Sequence, residues 1–126
     1  MGQSNPQPGD IFEASTGWNN KYNQDWQEKN RPLLILIAKG DPKSTVTLHA
    51  VFITSSQKKL SKMKPQYVFA QKTQENGLDT DSVIIPTKSY TMSDNELGRY
   101  RGRLSSALLE EVKQKALQFY VDNLSK

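Results

Sequence analysis

Leu33 to Ala38 reads LLILIA, a continuous apolar run closed by Lys39-Gly40-Asp41-Pro42. A run this short and unbroken fits a strand covered on both faces, because alternate side chains point to opposite sides and all must find apolar neighbours. The residues after it are turn chemistry. The chain then returns as Thr45 to Thr54, TVTLHAVFIT, rich in β-branched residues, which reads as a second, longer strand.

Three further segments fit this frame. Asp10 to Ala14 (DIFEA) alternates between Gly9 and Ser15 and reads as the first strand. Gln66 to Gln71 (QYVFAQ) and Ser82 to Ile85 read as two more, with a turn at Asn76-Gly77 between them. Residues 15–31 are too polar for core and are expected to form a long ordered loop, a kind of connection that is often functional. Residues 55–65 (SSQKKLSKMKP) are expected to be a basic loop. Ser93-Asp94-Asn95 opens an irregular or short helical connector.

The last segment is a helix. Ser105 or Ser106 can cap it, and Leu108, Leu109, Val112, Ala116, Phe119 and Tyr120 recur at helical spacing as one apolar stripe. Glu110 and Glu111 stand early in it and Lys113 and Lys115 later, as the helix dipole favours. The expected fold is mainly β with α (α+β): about five short strands in a small curled, barrel-like sheet with a packed C-terminal helix. At 126 residues the chain fits a single domain over 8–126, after a flexible lead-in at 1–7.

Composition narrows the chemistry. The chain has no cysteine and one histidine, His49, so thiol nucleophiles, cysteine zinc sites and a histidine pair within one chain are excluded. A lone strand histidine is read as packed or interfacial. No apolar run approaches the roughly 20 residues a bilayer span needs. The N-terminus MGQSNPQPGD lacks the apolar centre of a signal peptide, and Pro6 argues against myristoylation. A soluble cytoplasmic protein is expected. The net charge of +4 is uneven: −2 over residues 1–30, +7 over 31–72 and −1 over 73–126. A localised surplus of this kind suits a polyanion, though a solvated lysine-rich loop would also carry it.

Five pieces occur in order: PGDIF, NRP before an apolar strand, FITSS, GLDTDSVII and GRLSSALLEEV. Over roughly residues 8 to 120 the sequence resembles the MazF/PemK (Kid) toxins of bacterial toxin–antitoxin pairs. The resemblance implies an SH3-like β-barrel with added helices, a homodimer, and a metal-independent endoribonuclease that cuts single-stranded RNA at short sequences. It implies no cofactor. It also implies a cognate antitoxin whose extended acidic segment occupies the RNA groove.

Cleavage without metal lets the RNA 2′-OH attack the adjacent phosphorus, so the protein must hold the phosphate and neutralise its growing charge. Arg31, rigid before Pro32 at the mouth of a strand, suits charge stabilisation. An ordinary surface arginine is the plainer reading of the same residue. Thr54 matches the family's second catalytic position, and a hydroxyl there, with Ser55 and Ser56 beside it, suits a phosphate oxygen. Lys58, Lys59, Lys62 and Lys64 follow and are expected to bind phosphates. Gln27 can read a base edge. Ser82 matches a position lining the RNA groove, or is simply a strand-edge serine. Trp18, Tyr22 and Trp26 either stack on bases or plug the barrel end or dimer contact. The proton acceptor is open, with Asp25 and Glu28 as candidates. Arg99, Arg101 and Arg103 either extend an RNA surface or pair with acidic neighbours.

The sequence departs from the family after DSV. Lys88 stands where the family has Gln and Tyr90 where it has Arg, which predicts altered base readout and leaves room for a protein that binds RNA or a partner without cutting. A third possibility is a gyrase poison like the CcdB toxins, which share the barrel.

Overall fold

The structure, a computed structural model, describes residues 6–19, 26–40 and 46–124. Its six strands are β1 (Asp10–Asn19), β2 (Trp26–Gly40), β3 (Val46–Thr54), β4 (Val68–Ala70), β5 (Ser82–Ser93) and β6 (Leu97–Arg103). They form one antiparallel sheet in the order β4-β5-β3-β2-β1-β6. A short helix α1 (Gln57–Ser61) follows β3, and the long helix α2 (Ser106–Leu124) ends the chain.

The LLILIA segment lies mid-sheet, and its first three residues are covered on both sides; Leu36 and Ala38 are half-buried and Ile37 is exposed, so the expected two-sided cover ends at Ile35. Leu33 and Ile35 join one buried cluster with Phe12, Leu48, Phe52, Tyr67 and Ile85. Leu34 is buried in a second cluster, with Leu36 at its margin and Ile11, Val51, Ile53, Val68 and Ile84 around it. Val112 of α2 is buried in this second cluster, with Leu108 and Leu109 packed against it. Among the described residues no residue of α2 joins the first cluster, where the sheet curves and Met92, Leu97 and Leu60 close the margin. Register shifts in three of the strand pairs supply that curvature.

Several expectations are corrected here. The sheet has six strands rather than about five, and β4 and β6 are its two edges among the described residues. β6 was hidden because Gly98, Arg99, Arg101 and Arg103 break its apolar pattern. The polar stretch 15–31 is not one long loop. Ser15 pairs with Asn30, and the ladder continues through Trp18 with Gln27 to Asn19 with Trp26. Backbone pairing extends a hairpin arm whatever the polarity of its side chains. The 55–65 stretch contains α1, whose first turn is capped by Ser56 Oγ accepting from Lys59 N–H at 3.5 Å. The Ser82–Ile85 strand runs on to Ser93.

The PGD motif serves the fold. Gly9 holds φ +99°, its N–H donates to Ile35 O at 2.8 Å, and its carbonyl accepts from Leu104 N–H at 2.9 Å. Asp10, buried, accepts from Gln7 N–H and from Arg103 Nη1, at 2.8 and 2.7 Å. Start, middle and end of the sheet are thereby tied at one point. Ser105 caps α2, its Oγ accepting from Leu108 N–H at 3.3 Å. The apolar stripe of α2 is packed only in its first half; Phe119 and Tyr120 are exposed.

Candidate active site

Arg31 and Thr54 lie on neighbouring strands. Leu33 faces Phe52 in the β2–β3 register, and the same register continued by two residues sets Arg31 opposite Thr54. Thr54 also faces Val83 on β5. Residues 31, 33, 52 and 54 therefore share the face of the first cluster. Both side chains are partly exposed, and both line a cleft of about 230 Å3 with Glu13, Asn30, Ser55 and Asp79. Thr80, Ser82 and Arg101 complete its polar rim.

Each of the two has its orientation fixed. The Arg31 guanidinium carbon lies 4.9 Å from the centre of the Phe52 ring, a cation–π stack that limits its rotamers. Thr54 Oγ1 accepts from Ser56 N–H at 3.2 Å, which leaves the hydroxyl hydrogen available to donate. The chain turns at Ser55-Ser56 to enter α1. Ser55 is exposed on the cleft, whereas the Ser56 hydroxyl is engaged as a cap. Ser82 is buried and its Oγ donates to Thr80 O at 3.0 Å, so it shapes the wall and has its proton committed.

The lysines reach the same face. Lys59 and Lys64 place their Nζ atoms 5.8 and 5.9 Å from the Tyr67 ring centre, and Tyr67 belongs to the first cluster. Lys88 Nζ lies 5.6 Å from the Phe52 ring centre. Lys62 is exposed beside them. The side chain of Lys58, within α1, lies outside the described residues, as do those of Trp18, Trp26, Gln27 and Glu28. Tyr22 and Asp25 lie outside them altogether. The backbone of Gln27 is four residues from Arg31 on β2, about 13 Å along an extended strand.

Arg101 belongs to the structure of the cleft wall. Its Nη1 meets Glu13 Oε2 at 2.5 Å, its Nη2 meets Asp79 Oδ1 at 2.7 Å, and both Nε and Nη2 donate to Gly77 O. Burial alone would lower its pKa, but the hydrogen bonds to Glu13 and Asp79 outweigh it and the pKa is raised. Arg101 stays charged at any working pH. Arg103 is likewise paired, with Asp10 and Pro8 O. Acidic pairing accounts for these two arginines, and Arg99 is exposed on β6. His49 is half-buried on β3, its Nδ1 3.3 Å from Thr91 Oγ1, an interstrand contact outside the cleft.

Sequence reasoning missed Glu13, Asn30, Asp79, Thr80 and Arg101 as cleft residues. The signal was slight: an unpaired acid inside the DIFEA strand and an arginine inside what became β6. Among the described residues, no three His, Asp or Glu side chains gather as metal ligands.

Residues 7–120 match the family described as PemK-like, MazF-like toxin of type II toxin-antitoxin system. The chain belongs to this family. Solved structures share the toxin's fold. An endoribonuclease in complex with its cognate antitoxin, from a mycobacterial species, superposes with a TM-score of 0.67 at 17% identity, covering 90% of this chain and 93% of its own. The Mycobacterium tuberculosis toxin MazF-mt6 gives 0.64 at 20% identity, covering 88% and 95%. A second mycobacterial endoribonuclease gives 0.62 at 18%, covering 94% and 92%. No curated protein matches the sequence. Among the described residues, no helix of the toxin is long and apolar enough to cross a membrane.

Proposed function

We propose that this toxin is a metal-independent, sequence-selective endoribonuclease that cuts single-stranded RNA. The observation that carries the reading is that Arg31 on β2 and Thr54 on β3 line one cleft, whose adjoining face gathers Lys59, Lys64 and Lys88. The RNA backbone lies along this face, its phosphates met by lysines. At the scissile position the 2′-oxygen bonds to phosphorus and the bond to the 5′-oxygen breaks. The 2′-OH loses its proton, the leaving 5′-oxygen gains one, and the product ends in a 2′,3′-cyclic phosphate and a 5′-OH.

Arg31 stabilises the charge that builds on the phosphoryl oxygens and assists the leaving group. Its planar fork is already oriented by Phe52, so little reorganisation is needed as the charge develops. Thr54 donates its hydroxyl to a phosphate oxygen. Ser55 lies at the same corner. Gln27, Ser56, Lys58 and Lys62 extend the RNA path, and Ser82 forms its wall. Kinship to the family supports an SH3-like barrel acting as a homodimer in the cytoplasm. It also supports inhibition by a cognate antitoxin that lays an extended acidic segment on the basic face.

Arg31→Ala should abolish cleavage of a long single-stranded RNA while leaving circular dichroism and oligomeric state unchanged. Undiminished cleavage by that variant would sink the assignment. RNA that stays intact while cleaved DNA accumulates on gyrase would move the protein to the gyrase-poison class.

A further inference from the structure

The β3–β5 ladder has an irregularity whose position matters. Phe52 faces Ile85 and Val51 faces Ser89, so Pro86, Thr87 and Lys88 are extra residues on β5 with no partner on β3. Extra residues of this kind bend the strand that carries them, here beside Phe52. Two residues on, Tyr90 faces Ala50, whose small side chain leaves the aromatic ring room to lean toward Phe52. The two rings lie 5.8 Å apart, tilted by 36°. Phe52 is buried and Tyr90 is exposed, so the outer ring presents apolar surface to solvent beside the candidate catalytic face. Arg31 and Lys88 both approach the Phe52 ring, at 4.9 and 5.6 Å. The array is an aromatic step with a cation on the scissile side and another on the strand that carries Tyr90.

An exposed aromatic between two cations matches the repeat of a single strand, in which bases alternate with phosphates. We infer that Tyr90 is a base-stacking platform, holding one unpaired nucleobase next to the phosphate seated at Arg31, while Lys88 takes the neighbouring phosphate. This deepens the endoribonuclease reading and rests on it. Tyr90 touches the substrate's base and not the reacting atoms, so it acts on binding and on the placement of the scissile bond.

The test compares the wild type, Tyr90→Phe and Tyr90→Ala on a long single-stranded RNA, with fragment ends mapped. It is repeated on a short oligoribonucleotide taken from the mapped site, with an abasic nucleotide at each position in turn. Tyr90→Phe should stay within about twofold of the wild type. Tyr90→Ala should lose roughly ten- to a hundredfold in kcat/KM, about the worth of one stacked base, with the loss carried by one nucleotide position. At that position the abasic oligoribonucleotide should cost the wild type the same factor and cost Tyr90→Ala almost nothing. A uniform fall in kcat with every abasic penalty retained would mean that Tyr90 only supports Phe52, and would overturn the platform. So would a wild-type rate and sequence profile in Tyr90→Ala, with the nuclease assignment still standing. Failure of the wild type to cut or bind either RNA would overturn both.

Discussion

In the proposed reaction Thr54 and Arg31 both donate to the phosphate, one as a neutral hydroxyl and the other as a fixed charge. Arginine donates and stays charged but is a poor proton acceptor, whereas a hydroxyl held by Ser56 N–H has a fixed direction and a free proton. Thr54→Ser should therefore keep most of the activity. Thr54→Val, equal in shape and lacking the donor, should lower kcat about a hundredfold or more with thermal stability little changed. Single-turnover kinetics with saturating enzyme would separate this from weakened binding. Two residues show why the site was only partly legible in the sequence. Arg31 stood out only through the family resemblance, since by itself an arginine before Pro32 reads as an ordinary surface residue. Glu13 did not, because its partner Arg101 lies on β6, 88 residues away, and nothing in local spacing connects them.

At the scale of elements, the wall opposite the lysines is held by one arginine. Arg101 links β6 to Glu13 on β1 and to the connection at Gly77–Asp79. That connection is itself pinned by Asn76, whose side chain bonds to Thr73, Leu78 and Gln71 backbone groups. It lies so close that a Cβ on Gly77 would sit 1.9 Å from Arg101 O, at a positive φ besides. Arg101→Ala leaves Glu13 and Gly77 O without their donor in a half-closed cleft. It should destabilise the toxin by about 2–4 kcal/mol, read as a fall in the urea midpoint. The core strands were legible because apolar runs demand burial. The arm of β1 and β2 beyond Ser15 and Asn30, and β6, were not, since their pairing depends on partners that only the fold supplies. The basic segment 55–65 was legible as charge but not as α1, whose cap at Ser56 is a single hydroxyl.

Over the whole molecule, one face of the sheet is sealed by α2 and the other ends in cations around aromatic rings. Part of the net +7 of residues 31–72 thereby acquires a place: Arg31, Lys59, Lys62 and Lys64 lie near the end of β3 where α1 begins, whereas Lys39 lies at the other end of β2. Replacing Lys59 and Lys64 by Gln should weaken RNA binding and reduce the slope of log K against log salt by about 1.4, at 0.7 for each lost phosphate contact on a single strand. Binding titrations over a salt series would read both.

The most direct measurement incubates the purified toxin with a long single-stranded RNA in excess chelator and maps the ends of the fragments. Discrete cuts at a short recurring sequence are expected, with 2′,3′-cyclic phosphate and 5′-OH termini, and none from Arg31→Ala. Intact RNA, cleavage that stops with the chelator, or cuts that persist in Arg31→Ala would contradict the proposed function.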